Sequence, residues 1–280
     1  MEAEKYRFLI DGEPIELDAT GSPPFAYGPD ERLSTATTDA TYAQDWYERG
    51  YQVYDFLDDE QFVRLRDGIS SSVTAILADL GAPTDGFELE RYHHFADTDE
   101  LHLDVARRTR DLFPDDFNFP VSEYIDVFGR LLGHDVSDIH PVDGQRAHII
   151  VRINRPQSYD FNPPHKDVYE HWDAKGHVTP FVNFWVPIAG VGEASALPMV
   201  PGSHLLSEDK LLRTVEGGVV EGRQYHVRSV VSWDGRNDLT RVPVDDGDVL
   251  IFTPYLVHGC ALNGQQDTTR VALEFRLYAA

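Results

Sequence analysis

The pattern of apolar and polar positions changes near residue 146. Before that point apolar residues recur mainly at intervals of three and four, which is typical of amphipathic helices. The clearest case begins at Asp58 and has its apolar positions at Phe62, Leu65, Ile69, Val73, Ile76, Leu77 and Leu80. Similar spacing predicts helices over 39–50, 97–113 and 121–132, after a hairpin that turns at Asp11-Gly12. The amino-terminal half should therefore be mostly helical.

From residue 147 onwards, short β-branched and aromatic runs alternate with Gly, Asp, Asn and Pro. These runs predict strands over 147–154, 180–188, 226–232, 239–244, 249–253 and 271–278. About six to eight short strands joined by long loops indicate a double-stranded β-helix, a cupin-like jelly-roll barrel of two sheets. We expect a mainly β fold and one domain over 1–280. Its 1–145 half should pack on one sheet of the 146–280 half.

Composition limits the partners that the chain can have. It carries 24 basic and 48 acidic residues, a net charge of −24, which disfavours binding to nucleic acid or to an anionic membrane. The single cysteine, Cys260, suits a reducing compartment. No apolar run approaches the roughly 20 residues that span a bilayer, and the first residues lack a signal-peptide pattern. We expect a soluble, cytoplasmic protein that acts on a small molecule, with its oligomeric state left open.

The candidate chemistry begins with a His-x-Asp pattern. Side chains two positions apart in an extended strand point to the same side, so His165 and Asp167 can address one metal ion. His102 and Asp104 have the same spacing but lie in a predicted helix, where they diverge by about 200°. That second pair is therefore expected to be solvated surface.

A further histidine would complete a set of two imidazoles and one carboxylate. This set suits non-heme Fe(II) with open positions for a co-substrate and O2. The candidates downstream are His177, His204, His226 and His258. A third His-x-Asp pair, His171 and Asp173, lies in a polar, aromatic run and is kept as a reserve.

The order and spacing of these motifs resemble the Fe(II)/2-oxoglutarate-dependent oxygenases of the phytanoyl-CoA dioxygenase type. The matching features are the His165-x-Asp167 pair, the segments 48–57, 184–188 and 197–204, and then His258 and Arg270. The resemblance implies Fe(II) bound by His165, Asp167 and His258, with 2-oxoglutarate and O2 as co-substrates. In that family a histidine at the place of His204 lies near the metal, not on it.

The last predicted strand has one apolar and one polar face. Val271, Leu273, Phe275 and Leu277 should face the helices, which turns Arg270, Ala272, Glu274 and Arg276 towards the barrel interior. An inward arginine needs an anion, and the resemblance supplies the far carboxylate of 2-oxoglutarate. The alternative is that Arg270 pairs with Glu274, for which Arg276 is the expected partner.

Other residues are candidates for contacts in the same pocket. Trp185 matches a tryptophan that lines the co-substrate pocket in the family, although an ordinary core role is the alternative. Cys260 stands where the family often has a serine that helps to hold the same carboxylate. Because a thiol is a weaker donor, Thr179, Asn183 or Asn154 could make this contact instead. Arg152 could reach a polar substrate or be a buried ion-pair partner.

The resemblance implies that 2-oxoglutarate and O2 are converted to succinate and CO2 while an unactivated C–H bond is hydroxylated. Asp167 disfavours halogenation, because halogenating relatives replace this carboxylate with a small residue; desaturation, epimerisation and ring formation stay open. The alternatives are a zinc hydrolase using the same ligands and a jelly roll that binds a small molecule without catalysis. No basic cluster is visible along the chain to receive coenzyme A phosphates, so a free small molecule is expected.

Overall fold

The computed structural model describes residues 5–19, 24–117, 119, 121–169 and 178–280. Its α-helices are α1 (Asp59–Asp79), α2 (Asp99–Arg108) and α3 (Val121–Leu132). Short 3-10 helices lie at Leu89–His94, Pro114–Phe117, Asp167–Tyr169, Ser203–Leu205 and Glu208–Lys210. The strands are β1 (Lys5–Ile10), β2 (Glu13–Asp18), β3 (Phe25–Tyr27), β4 (Tyr51–Asp55), β5 (Val136–Ser137), β6 (Ile150–Asn154), β7 (Phe181–Ala189), β8 (Pro198–Met199), β9 (Leu211–Thr214), β10 (Gly218–Val220), β11 (Arg223–Tyr225), β12 (Val230–Trp233), β13 (Asp238–Arg241), β14 (Asp248–Phe252) and β15 (Arg270–Ala279).

The largest sheet has six strands in the order β4-β14-β7-β15-β5, with β6 also paired to β15. Its neighbouring strands are all antiparallel. The long strand β15 is central to it, and its register places Arg270 beside Asn154 of β6 and Arg276 beside Asn183 of β7. These two pairings bring polar side chains together on one face of the sheet.

The helices cover the other face of this sheet. The apolar residues that β15 was expected to turn outwards, Val271, Leu273, Phe275 and Leu277, are buried in one core with side chains of α1 and α3. The rings of Phe184 and Phe275 stack with centroids 5.0 Å apart, and Phe128 of α3 packs on Phe184. Burying each such ring contributes about 1.5 to 3 kcal/mol. The predicted packing of the helical half on one sheet is confirmed.

Shorter strands oppose the inner face of the main sheet and complete the jelly roll. They form a four-stranded sheet (β2-β1-β13-β8), a three-stranded sheet (β12-β9-β3) and the hairpin β10-β11. A second core lies between the layers, where Trp185, Phe252 and Ala272 of the main sheet meet Phe8 and Trp233. The double-stranded β-helix predicted from the strand pattern is confirmed.

The predicted elements agree with the structure at most positions. The hairpin turns at Asp11-Gly12, with φ values of 53° and 85°. The helix predicted over 39–50 is wrong, because this segment forms a series of turns. Most of its backbone hydrogen bonds join residues three apart, for example Tyr42 N–H to the carbonyl of Asp39 and Gln44 N–H to that of Thr41, whereas an α-helix joins residues four apart. The helix predicted over 97–113 ends earlier, at Arg108.

Among the described residues, no helix combines the length and the apolar character that a membrane crossing requires.

Candidate metal centre

Three buried side chains from distant parts of the chain meet on the inner side of the jelly roll. The ligand atoms of His165, Asp167 and His258 all lie within 4.8 Å of one another. The main chains of the two histidines hold each other in place: His165 N–H donates to the carbonyl of His258 at 2.8 Å, and His258 N–H donates back at 3.0 Å. This isolated antiparallel bridge brings together two loops that are 93 positions apart in the sequence.

Each imidazole is fixed in orientation by a carbonyl oxygen. The Nδ1 atom of His165 lies 2.7 Å from the carbonyl of Pro163, and Nδ1 of His258 lies 3.0 Å from that of Leu256. A carbonyl can only accept, so each Nδ1 carries the hydrogen and each Nε2 presents a lone pair. The Nε2 atoms lie 3.4 and 3.5 Å from the oxygens of Asp167.

This protonation state fits a bound divalent cation. Burial lowers the pKa of His258, which keeps its ring neutral. Two atoms that share one cation at about 2.1 Å lie at most about 4.2 Å apart, and both imidazole-to-carboxylate distances are within this limit. The residues present therefore fit a metal held by two nitrogens and one oxygen.

The carboxylate of Asp167 is held by two donors from the main sheet. Asn183 Nδ2 donates to Oδ2 at 2.7 Å, and Arg276 Nη2 donates to Oδ1 at 3.0 Å. Burial alone would raise the pKa of Asp167, but the Arg276 guanidinium and the neighbouring imidazoles hold it well below its usual range. Asp167 is therefore an oriented anion, ready to bind a cation.

These contacts bear on two expectations. Asn183 was a candidate contact for the co-substrate; its amide donates to Asp167, and the contact with the co-substrate stays a prediction. Arg276 was the expected partner of Glu274, but the guanidinium that pairs with Glu274 is that of Arg152, whose Nε lies 2.5 Å from Oε2. The cause is the register of β15, which sets Arg276 beside Asn183 and Arg152 one strand away from Glu274.

Lys166 lies between His165 and Asp167 in the sequence, and its side chain points away from the metal centre. Lys166 is fully buried, and its Nζ lies 2.9 Å from Oε1 of Glu208. The other oxygen of Glu208 accepts from Tyr169 Oη at 2.6 Å and from Arg213 Nε at 3.1 Å. His165 and Asp167 thus face the same side, as expected, although Asp167 begins a 3-10 helix and does not continue a strand.

Arg270 lies deep in the same region with part of its guanidinium unpaired. The residue is 2% exposed, and its Nη1 donates to Oδ1 of Asn154. Among the described residues, its Nε and Nη2 have no hydrogen-bond partner. Burial lowers the pKa of Arg270 to about 9. Unpaired buried donors are costly, so an anion bound here would stabilise the guanidinium.

Trp185 and Cys260 have different environments. The guanidinium carbon of Arg270 lies 5.1 Å from the centre of the Trp185 ring, a cation–π distance. Trp185 therefore lies in the pocket and also in the second core, which leaves both of its expected roles in place. Cys260 packs in that core and is not among the residues that line the cavity, so the structure does not favour its expected contact with the co-substrate. Burial raises the pKa of its thiol to about 12.

A cavity of about 590 Å³ opens beside the three candidate ligands. Its wall contains His165, His258, Arg270 and Trp185, together with residues of α2, β6 and the β10-β11 hairpin. The polar residues of β15, Arg270, Glu274 and Arg276, all line it, which confirms the inward polar face.

Among the described residues, the other candidate histidines are separate from the triad. His204 is buried against the Tyr47 ring, with centroids 4.9 Å apart, and His226 lines the cavity. The expectation that His102 is solvated is wrong, because it is 2% exposed and its Nε2 lies 3.3 Å from Oδ1 of Asp160. The reserve pair His171 and Asp173, and also His177, lie outside the described residues.

A second group of ligand-type side chains lies nearer the surface. It consists of His93, His94 and Asp267, of which the last two are exposed. Arg91 already donates to the Asp267 carboxylate. The buried triad is therefore the better candidate metal centre.

Comparison with protein families shows to which class of protein this chain belongs. The family model described as Phytanoyl-CoA dioxygenase (PhyH) matches residues 46–271. The chain belongs to this family. It is a non-heme iron, 2-oxoglutarate-dependent dioxygenase, an oxidoreductase whose cofactors are iron and 2-oxoglutarate. The triad at residues 165, 167 and 258 is its candidate iron site.

Solved structures similar to this member of the PhyH family include three that share less than a fifth of its sequence. AviO1 from Streptomyces viridochromogenes Tue57 is 18% identical over 87% of this chain and 96% of its own, with a TM-score of 0.46. The alpha ketoglutarate dependent carbocyclase SnoK from nogalamycin biosynthesis is 17% identical over 87% of each chain, with a TM-score of 0.46. EctD from S. alaskensis, solved with 2-oxoglutarate and 5-hydroxyectoine, is 17% identical over 94% of this chain and 84% of its own, also with a TM-score of 0.46. Comparison with curated proteins finds no match.

Proposed function

We propose that this dioxygenase hydroxylates an unactivated C–H bond of a small molecule, using Fe(II) held by His165, Asp167 and His258. One observation carries the proposal: two imidazoles, each fixed through Nδ1, direct Nε2 at one buried carboxylate. The unpaired donors of Arg270 in the same cavity support it, because they suit the far carboxylate of 2-oxoglutarate.

When bound, Fe(II) supplies the redox chemistry that couples oxidation of 2-oxoglutarate by O2 to insertion of oxygen into the substrate. One oxygen atom of O2 enters succinate as CO2 leaves, and the other converts C–H to C–OH. The carboxylate of Asp167 is present, and this disfavours halogenation. A hydroxylated product is therefore the expected outcome.

The side chains of the protein position the reactants. Asn183 and Arg276 hold the Asp167 carboxylate in one orientation, and the two carbonyls fix the imidazoles. Asn154 and Trp185 hold the Arg270 guanidinium from two sides. Such second contacts set the geometry of metal ligands and raise metal affinity. We also propose that Trp185 lines the co-substrate pocket.

Membership in a dioxygenase family favours iron over the zinc-hydrolase alternative. The inactive-binder alternative lacks support, because all three ligands are present and buried. A small-molecule substrate and a cytoplasmic location stay part of the proposal.

An anaerobic titration tests the metal and co-substrate sites. Metal-depleted protein is titrated with Fe(II), and then with 2-oxoglutarate, by isothermal calorimetry. We expect one Fe(II) per chain and 2-oxoglutarate binding that depends on it. Binding of 2-oxoglutarate that is equally tight without metal would contradict the site.

A mass-spectrometric assay tests the reaction. Candidate small molecules are incubated with the iron-loaded protein, 2-oxoglutarate and O2, and succinate is quantified alongside each product. Hydroxylation predicts one added oxygen atom per succinate formed. A product that has lost two hydrogens, or has the mass of its substrate, would instead indicate desaturation, ring formation or epimerisation.

A further inference from the structure

The start of β15 is joined to the 3-10 helix Leu89–His94 by contacts that lie outside the cavity. Thr269 N–H donates to the carbonyl of Glu90 at 2.8 Å, and the Thr269 hydroxyl lies 2.9 Å from Nδ1 of His93. Neither Thr269 nor His93 is among the residues that line the cavity. This junction is therefore separate from the candidate iron site.

Asp267 belongs to this junction, and one of its carboxylate oxygens faces two imidazoles. Nε2 of His93 lies 3.0 Å from Oδ1 of Asp267, and Nε2 of His94 lies 3.2 Å from the same atom. Arg91 donates to the other oxygen, Oδ2. Hydrogen bonds from His93 and Arg91 lower the pKa of Asp267 to about 2, so its carboxyl group is an anion at neutral pH. The arginine thus holds this anion with Oδ1 turned towards both rings.

The spacing of these three ligand atoms fits a shared metal ion. Two atoms that lie about 2.1 Å from one ion are about 3.0 to 3.4 Å apart at octahedral or tetrahedral angles, and both measured distances agree with this. With an ion on Nε2 of His93, the ring hydrogen is on Nδ1, where the Thr269 hydroxyl can accept it. The buried triad has a similar arrangement, in which Arg276 donates to Asp167 and two Nε2 atoms face that carboxylate.

The surroundings of the group favour a divalent transition metal. A net charge of −24 attracts cations to the protein surface. The side chains of His94 and Asp267 are 56% and 58% exposed, so an ion can reach them and water can fill its other positions. Two imidazoles with one carboxylate suit Zn(II), Ni(II) or Cu(II), whereas Mg(II) and Ca(II) prefer oxygen ligands.

We propose that His93, His94 and Asp267 form a second metal site, which binds a divalent transition-metal ion such as Zn(II) and fastens the 3-10 helix to the start of β15. This inference goes beyond the proposed function and does not depend on it. None of the three residues is among those that line the cavity, so the ion has a structural role. It stabilises the fold, because its ligands come from distant parts of the chain that only folding brings together.

Counting bound Zn(II) by equilibrium dialysis tests the second site. We expect two ions per chain in the wild-type protein, one in the buried triad and one in the surface group. His94→Gln and Asp167→Ala should each bind one, and the double variant should bind none. If the triad bound no metal, wild type and Asp167→Ala would each bind one ion and His94→Gln none. The failure of the proposed iron site and the failure of this inference therefore give different counts.

Thermal unfolding separates a bound metal from a simple ion pair. Saturating Zn(II) should raise the unfolding temperature of Asp167→Ala by about 3 °C or more, and this rise should be absent when His94→Gln is added. The Arg91 contact with Asp267 does not involve His94, so His94→Gln leaves that ion pair in place. His140→Gln is the matched control, because Nδ1 of His140 lies 3.0 Å from Oδ1 of Asp143 in another surface pair. It should keep the wild-type zinc count.

Two results would overturn the inference: equal zinc counts in the wild type and His94→Gln, or an equal loss in His94→Gln and His140→Gln. Anomalous scattering from a crystal of the wild-type protein grown with Zn(II) locates the ion. We expect a peak between Oδ1 of Asp267 and the two Nε2 atoms of His93 and His94. A peak at the buried triad without one at this group would also contradict the second site.

Discussion

Asn183 and Arg276 occupy paired positions on neighbouring strands, and both donate to the carboxylate of Asp167. The two donors take one oxygen each, so the carboxylate cannot rotate without losing a hydrogen bond. Since Asp167 also lies within reach of both imidazoles, its orientation determines how a metal would be held. The strand register of the main sheet thus sets the positions of the two side chains that orient Asp167 in the candidate iron site.

Removing the side-chain amide of Asn183 should weaken metal binding. We expect Asn183→Ala to lower Fe(II) affinity about 10- to 100-fold, the usual effect of losing a group that orients a ligand. The affinity is measured by anaerobic calorimetry. Asn237→Ala is the control, because its amide donates to a surface carbonyl of Arg7. Unchanged Fe(II) affinity in Asn183→Ala would show that Arg276 alone holds Asp167.

Removing the buried guanidinium should affect the co-substrate and leave the iron in place. We expect Arg270→Ala to raise the KM for 2-oxoglutarate about 10- to 100-fold, because a charge-assisted, two-point contact is lost. Iron content should stay at the wild-type level. Arg241→Ala, on an ion pair with Asp11, is the matched control. A normal KM in Arg270→Ala would mean that another residue binds the carboxylate.

The three ligands should be individually essential. His165→Ala, Asp167→Ala and His258→Ala should each reduce Fe(II)-dependent succinate formation below detection, since two protein ligands hold the ion too weakly. His94→Ala, in the exposed group with His93 and Asp267, should keep full activity. Activity that persists in both His165→Ala and Asp167→Ala would move the metal to His171 and Asp173.

Much of this site could be predicted because the sequence patterns that identify its residues are local. The alternation of apolar and polar residues along β15 identified an inward Arg270, and His-x-Asp spacing identified two ligands. His258 was one of four downstream candidates by residue type, and the family resemblance singled it out. In each case the information lay within a few positions or in the order of motifs.

The contacts that were missed depend on register between distant strands. Nothing near Asn183 indicates that its amide reaches Asp167, because β7 and β15 must first pair in one alignment. The burial of His102 depends in the same way on Asp160, which lies 58 positions further along the chain. The segment 39–50 was missed for another reason, since apolar spacing alone does not distinguish an α-helix from successive turns whose backbone hydrogen bonds join residues three apart.

A glycine next to His258 should be intolerant of a side chain. Gly259 has φ of +123°, and a Cβ there would lie 2.7 Å from the carbonyl oxygen of Pro163 and 3.1 Å from Nδ1 of His165. That carbonyl is the acceptor that orients His165. We expect Gly259→Ala to lower the free energy of unfolding by about 1 to 3 kcal/mol and to weaken Fe(II) binding.

Urea unfolding and Fe(II) calorimetry check this prediction. The control is Gly192→Ala, because a Cβ at Gly192 meets no atom within 4 Å. If Gly259→Ala matched this control in both measurements, the packing of the 258–260 turn against His165 would not matter for the site.

The buried His102 should make the stability depend on pH. Burial lowers its pKa from 6.5 to about 4, although the Asp160 carboxylate opposes this shift. The unfolded chain, with the ordinary pKa, therefore binds a proton more readily between pH 6.5 and 4. The contribution of His102 to the free energy of unfolding is therefore fully present above pH 6.5. It falls as the pH drops towards 4 and is constant below that.

Urea unfolding of metal-free protein between pH 7 and 4.5 checks the sign. We expect the wild type to lose about 2 to 3 kcal/mol more than His102→Gln across this window, since one pKa unit corresponds to about 1.4 kcal/mol. Paired carboxylates such as Asp160, whose pKa is held well below its usual range, lose their contribution only at lower pH. His148→Gln, at an exposed histidine, should follow the wild-type curve. Parallel curves for the wild type and His102→Gln would show that this ring takes up a proton without cost in the folded protein.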